Sequence, residues 1–294
     1  MPFSDSELIL NADGSIYHLN LLPNDIASTI ILVGDPERVS EVSKYFDHIE
    51  LKKQKREFCT HTGYLNKKRL TVLSTGIGVN NIDIVLNELD ALINIDFSSR
   101  TIKETQTSLS LIRIGTSGAI QKEIGIDTYV LSEYAIGLDG LLHFYAKERV
   151  EAQEITTFLS RHLEWHSNGI FPYVVACNKN LKKEFGISDI GLGMTVTNAG
   201  FYAPQGRELR LTGKLNDFYA KLTAFRYHDK VITNLEMETA AIYGLSQLLG
   251  HCAISLNAIL ANRALGTFSS QPQKTINRLI QITLERLANQ SFIF

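Results

Sequence analysis

The sequence predicts an α/β fold around a mixed sheet, and three observations carry that prediction. Short β-rich runs recur along the chain, segments of helical period lie between many of them, and one pair of consecutive runs reads as a hairpin. In order, TIILV (29–33) is a buried strand and PERVSEVSKYF (36–46) the helix after it. FCTHTGYL and RLTVLST, joined by NKK, form the hairpin, which makes the sheet mixed. NNIDIVLNELDALI (80–93) is a helix, and SSRTIKETQTS (98–108) an exposed loop or short helical excursion. Strands follow at LSLIRIG (109–115) and TYVLSEY (128–134), then a helix at QEITTFLSRHLEW (153–165). YVVAC (173–177) and GMTVTN (193–198) are strands, METAAIYGLSQLL (237–249) a helix, CAISLNAIL (252–260) a strand, and an amphipathic helix over 272–289 closes the chain. No repeat, low-complexity tract or Pro/Ser-rich linker interrupts this order, so residues 1–294 are expected to form one domain.

Composition excludes several function classes. At 44% hydrophobic and 20% charged, the 294 residues can bury a substantial core. The formal charge is −2 and the basic residues are dispersed, with no positive stripe to neutralise phosphates, so no nucleic-acid partner is expected. Cys59, Cys177 and Cys252 are far apart and lack metal-ligand spacing, which reads as reduced thiols and no metal site. The N-terminus carries no basic segment followed by a long apolar one, and no window approaches the ~20 apolar residues of a membrane span. A cytoplasmic protein without a membrane partner is the expectation.

Four motifs could carry chemistry. In TIILVGDPERV, a strand runs through Gly34 into a helix whose first turn suits Pro36; free N–H groups there, with Arg38, suit an anion. A capped helix with a surface arginine is the plain alternative. RIGTSGAI (113–120) repeats the arrangement, with a strand expected to end at Arg113 and a turn of small residues offering N–H groups and the Thr116 hydroxyl. It is neither a P-loop nor GxGxxG, so triphosphate and dinucleotide readings lose support. In NLEMETAAIY (234–243), Glu236 and Glu238 sit where a strand gives way to a helix; they either serve the helix dipole or accept from vicinal sugar hydroxyls, with Met237 on the sugar's apolar face. GFYAPQGRELR (200–210) offers Phe201 for stacking, while Gln205 and Arg207 match a ring with adjacent N–H and C=O groups. An ordinary surface loop is the alternative. His143 and His166 read as structural, and Trp165 as cover for a helix edge.

Together these residues resemble the uridine phosphorylases of the nucleoside phosphorylase-I family. The matches are YHLNL (17–21), GDPERV (34–39), REF (56–58), STGIG (74–78), RIGTSGAI, LDG (138–140), LHF (142–144), FYAPQGR (201–207), EMET (236–239) and NR (262–263). The resemblance implies a three-layer α/β/α domain with a twisted, barrel-like mixed sheet, working as a dimer or trimer of dimers. It implies reversible phosphorolysis of uridine, with deoxyuridine or thymidine as further substrates, giving free base and ribose 1-phosphate. Inorganic phosphate is the co-substrate, and no cofactor is implied. Gly34, Arg38, Arg113 and Thr116 would bind phosphate, and Arg56 would reach it from a neighbouring subunit. Glu236, Met237 and Glu238 would bind ribose, with the neighbour's His18 at the 5′-hydroxyl. Gln205, Arg207, Phe201 and Arg263 would read the base. Purine relatives carry an aspartate where this chain has Asn262-Arg263. The chain departs from relatives at Val79-Asn80-Asn81 and at ALGTF (264–268), which leaves a monovalent cation near Glu57 open. A purine nucleoside phosphorylase, a nucleosidase and a non-catalytic nucleoside binder are the rival readings.

Overall fold

β1 (Thr29–Val33) enters the core and is followed at once by α1 (Pro36–Ser43), because Asp35 caps the helix by accepting from the Glu37 N–H at 2.9 Å and Pro36 takes the first helical position. In this computed structural model, residues 2–289 are described; residue 1 and residues 290–294, the ends of the span expected as one domain, lie outside them. β2 (His48–Lys55), β3 (Phe58–Leu65) and β4 (Lys68–Ser74) form an antiparallel meander, and α2 (Val79–Asn94) follows. A small hairpin of β5 (Ile95–Asp96) and β6 (Thr101–Ile102) leads to β7 (Ser110–Ala119) and β8 (Tyr129–Gly137). Then come α3 (Gln153–Leu163), β9 (Tyr173–Ala176), α4 (Lys179–Phe185) and β10 (Gly191–Thr197). α5 (Phe218–Ala224), β11 (Arg226–Tyr227), β12 (Lys230–Glu236) and α6 (Thr239–Leu248) precede β13 (Cys252–Asn262), β14 (Thr267–Phe268) and α7 (Pro272–Asn289).

The sheet is mixed and partly closed. β7 pairs with β13, β13 with β8, β8 with β10, β10 with β12, and β12 returns to β7, so five strands complete a ring. β1, β4, β3 and β2 extend from the other side of β7. Helices cover the outside: α6 and α7 contribute Ile242, Leu245, Leu279 and Ile280 to the large apolar core together with Ile30, Leu32, Ile112 and Leu256. A second apolar cluster, containing Leu159, Trp165, Val196 and Phe218, lies around α3, β10 and α5.

The structure corrects several local expectations. No turn forms after Arg113: RIGTSGA (113–119) lies in β7, which runs to Ala119 because β13 pairs with it from Ser110 onward. Glycines that read as a break in sequence are tolerated here because partners on the neighbouring strand hold the backbone extended. The hairpin turn is Asn66-Lys67, both at positive φ, and Lys68 already pairs with Leu65; this matches the turn chirality that suits strand twist. The helices expected to end at 46 and 165 stop at Ser43 and Leu163. Glu164 takes a left-handed conformation there, and Trp165 falls in a 3-10 turn, stacked on Phe218 at 5.4 Å. Of the two readings of segment 98–108, the exposed loop holds, interrupted only by the two residues of β6. His143 Nε2 lies 2.9 Å from the Phe171 carbonyl and His166 packs on the Phe171 ring.

Candidate active site

A single break in strand pairing creates the site. β1 follows β7 only as far as Leu32 opposite Arg113, whereas β12 joins the same edge at Leu235 opposite Gly118. Between them the edge of β7 from Ile114 to Ser117 has no strand beside it, and the C-terminal ends of β1 and β12 both point at this window. Ligands in open α/β sheets collect where strand ends diverge in this way. A cavity of about 680 Å³ fills the window, lined by Gly34, Arg38, Thr116, Gln205, Glu238 and neighbouring residues. That volume lies in the usual range for small-molecule sites.

One end of the cavity is cationic. Arg38, from the first turn of α1, is only partly exposed, and its nearest hydrogen-bond contact is a long 3.5 Å approach of Nη1 to the Ile114 carbonyl. Burial lowers its pKa from the ordinary value, Asp35 opposes this, and the neighbouring Arg113 lowers it further. Among the described residues no carboxylate pairs with Arg38. A half-buried guanidinium in that state is a receptor for an anion. Gly34 and Thr116 line the cavity beside it.

Arg113 is held differently. Its Nη2 lies 2.6 Å from Glu238 Oε2 and 3.0 Å from Glu236 Oε2, and Nη1 donates to Asn257 Oδ1 at 3.0 Å. Burial acts against the charge, but Glu236 and Glu238 hold the pKa above its ordinary value. The guanidinium folds back over its own strand, where a Cβ at Gly115 would stand 1.8 Å from Nη1. Glycine at 115 is therefore a packing requirement.

The two glutamates differ in what they have left to offer. Glu236 accepts from the Thr197 hydroxyl at 2.6 Å, the Glu238 N–H at 3.0 Å, the Thr239 N–H at 3.0 Å and the Thr239 hydroxyl at 2.8 Å, besides Arg113. Its carboxylate thus closes the exposed N–H groups at the start of α6 and has essentially no acceptor site left. Glu238 accepts from the Gly78 N–H at 2.7 Å and from Arg113, leaving an acceptor site on each oxygen. Burial raises the Glu238 pKa, Arg113 opposes, and Glu236 adds to the rise. Gly78 presents that N–H from φ 93°, ψ 159°, a backbone region open essentially to glycine.

At the far end, a 3-10 turn over Ala203–Gln205 brings Gln205 inward, 2% exposed. Arg207 donates to Gln205 Oε1 at 2.5 Å and to the Phe201 carbonyl at 2.8 Å, and its guanidinium lies over the Phe201 ring at 3.8 Å. With Gln205 Oε1 engaged, the amide nitrogen is the group free to donate into the cavity. Burial, then the charge of Arg263, lowers the Arg207 pKa. Leu235, Leu260, Ala261 and Phe268 supply apolar wall.

Gly34, Arg38, Arg113, Thr116, Phe201, Gln205, Arg207, Glu236, Met237 and Glu238 thus surround one cavity, and Glu57 lines it too. Three expected residues stand outside it. Arg56 is exposed at the β2–β3 turn with φ 55°. His18 points its Nδ1 at Glu88 Oε1, 2.6 Å away, beside a second cavity. Arg263 lies behind the 201–207 loop, bonded to its carbonyls. Sequence reasoning gave no role to Asn81, Ile77 and Phe268 in the lining or to Asn257 behind Arg113; the first three lie in segments noted only for matching or departing from relatives. Among the described residues, no group of three or more His, Cys, Asp or Glu could hold a metal ion, and no helix is long and apolar enough to cross a membrane.

Comparison with known proteins agrees with this architecture. Residues 28–288 match the model of the phosphorylase superfamily. A uridine phosphorylase from Thermococcus kodakarensis is 30% identical over 92% of this chain and 86% of its own. A DeoD-type purine nucleoside phosphorylase from Brevibacillus brevis is 26% identical over 91% of this chain and 97% of its own. Among solved structures, a Trypanosoma brucei nucleoside phosphorylase described as showing uridine phosphorylase activity superposes with a TM-score of 0.88 at 28% identity, over 96% of this chain and all of its own. With the family model covering most of the chain and the same ringed sheet beneath it, the protein belongs to the phosphorylase superfamily.

Proposed function

We propose that this protein is a uridine phosphorylase, a pentosyltransferase that cleaves the N-glycosidic bond of uridine with phosphate and yields uracil and ribose 1-phosphate. The observation that carries the reading is Arg38: a half-buried guanidinium without a carboxylate partner, at one end of a cavity whose other end presents Gln205 and Arg207. A hydrolase needs no such anion receptor.

In this reading Gly34, Arg38, Arg113 and Thr116 hold phosphate, and Glu238 accepts from the ribose hydroxyls with Met237 against the sugar. Glu236 acts by fixing Glu238, Arg113 and the start of α6. Gln205 and Arg207 bind the base, with Phe201 at its face. As the bond to the base loosens, the sugar gains oxocarbenium character and phosphate attacks the opposite face. Phosphate is already anionic, so the protein positions it, which contributes roughly 7 to 11 kcal/mol. Charge reaching the base is met by Arg207, which has no carboxylate partner among the described residues.

A pyrimidine is favoured over a purine by Asn262. Its amide nitrogen donates to the Gln121 and Ile124 carbonyls at 2.9 and 2.7 Å, and its oxygen accepts from the Leu265 N–H at 3.0 Å. No acid stands at that position to protonate a purine nitrogen. The reading extends to a cytoplasmic homo-oligomer in which Arg56 and His18 serve a neighbouring site, since each projects away from the cavity of its own chain.

Uridine and inosine, each incubated with and without phosphate, test the proposal by ultraviolet absorbance and chromatography. Uracil released only with phosphate, and faster than hypoxanthine, is expected. Release without phosphate would make the protein a nucleosidase, preference for inosine a purine enzyme, and silence with both a binding protein.

A further inference from the structure

Resting on that reading, we propose that Arg263 is a positioning residue for the base, acting through the 201–207 loop without touching the pyrimidine. Its Nη1 donates to the Gln205 carbonyl, and its Nη2 to the Gly206 carbonyl at 3.2 Å. Two adjacent carbonyls on one planar fork fix both the height and the tilt of the turn that carries Gln205 and Arg207. The guanidinium is stacked on the Tyr219 ring, its central carbon 4.5 Å from the ring centroid. The same ring backs the loop: Gly206, at φ 65°, lies so near that a Cβ there would be 3.1 Å from Tyr219 Cε2. The Tyr219 hydroxyl is buried without a hydrogen-bond partner among the described residues, so the ring's role here is a platform. Arg263 itself follows β13, where its N–H donates to the Ala119 carbonyl at 2.9 Å. The loop is thereby clamped to the two strands that form the cavity's floor, and Arg263 does not line that cavity.

The test compares wild type with Arg263→Lys, Arg263→Met and Tyr219→Leu in steady-state uridine phosphorolysis, after thermal unfolding has established that each variant folds. Binding of a 2-pyrimidinone ribonucleoside, which lacks the C4 oxygen, is measured alongside. Arg263→Met is expected to lose about 100-fold in kcat/KM for uridine, the cost of an ångström-scale misplacement, with the KM for phosphate unchanged. Arg263→Lys should fail to restore activity because a point charge cannot span two carbonyls, and Tyr219→Leu should lose activity in part. Both nucleosides should weaken, uridine the more because it makes more contacts to the turn, and Gln205→Ala combined with Arg263→Met should lose little beyond the worse single variant. Full rescue by lysine, or additive losses in the double variant, would each overturn the proposal. Absence of phosphorolysis in wild type would instead overturn the reading of the site as a uridine phosphorylase.

Discussion

Arg113 and Glu238 form a buried ion pair 2.6 Å long, and the same guanidinium nitrogen lies 3.0 Å from Glu236. Removing the cation would leave two carboxylates facing each other in the core. Arg113→Ala is therefore expected to destabilise the fold by about 3–5 kcal/mol and to abolish turnover. Denaturant unfolding checks the first outcome, and a variant as stable as wild type would show that the carboxylates are compensated elsewhere.

Glu238 gives the activity an acid limb. Its folded pKa is raised above 4.5, chiefly by burial. As pH falls through the raised value, the carboxylate protonates and can no longer accept at both oxygens, so kcat/KM for uridine should fall with a midpoint above the ordinary glutamate range. The stability sign is opposite: a raised folded pKa means this group favours the native state below the unfolded value, an advantage lost as pH rises through the folded one. In Glu238→Gln the limb should vanish along with most activity; persistence of the limb would assign it to another group.

Phosphate should stabilise the native protein through Arg38. At a hundred times its dissociation constant the expected gain is about 2.7 kcal/mol. Arg38→Ala should unfold at much the same temperature as wild type without phosphate and respond weakly to its addition. Thermal scans with and without phosphate check this, and equal responses would place the anion elsewhere.

Two glycines should fail for different reasons. Gly115→Ala drives a methyl into the Arg113 guanidinium, and overpacking of that kind costs about 1–3 kcal/mol or more. Gly78→Ala meets no neighbouring atom but must hold φ 93°, a strain of about 1–3 kcal/mol that also withdraws an N–H from Glu238. Unfolding should report both losses. A crystal structure of each variant should show a displaced Arg113 in the first and a shifted 76–79 segment in the second.

Arg207→Ala should impair uridine turnover far more than stability, because the half-buried side chain donates to Gln205 and faces the base end of the cavity. Loss of a charge-assisted donor corresponds to about 1.5–3 kcal/mol of binding. Wild-type kcat/KM in this variant would move the base pocket elsewhere.

Much of this was legible in the chain because the relevant signals are local. Gly34-Asp35-Pro36 marks a strand-to-helix turn wherever it occurs, and the final helix over Pro272–Asn289 shows its amphipathic period without help from tertiary structure. β2 was not legible: HIELKKQK is half charged, and its alternation of exposed and shielded positions emerges only when β3 lies beside it. The window in β7 reads as a turn in sequence because a glycine such as Gly115 carries the same signal whether it bends a chain or makes room for Arg113. Which residues meet at that window depends on where β1 and β12 each stop, and register between strands distant in sequence leaves no mark in either strand alone. The contrast between Glu236 and Glu238 was hidden for the same reason, since it depends on Thr197 and Gly78.

The carboxylate of Glu236 is at once part of the cavity wall and the fastening of α6. The end of the cavity proposed for the sugar is thereby built from parts the fold needs in order to stand, whereas the end proposed for the base consists of a short loop and a hairpin laid against it from outside. Engineering should find these two ends unequal. A different base can be sought by redrawing residues 201–207 and 262–268 on an intact scaffold, but a different sugar would require another way to begin a helix.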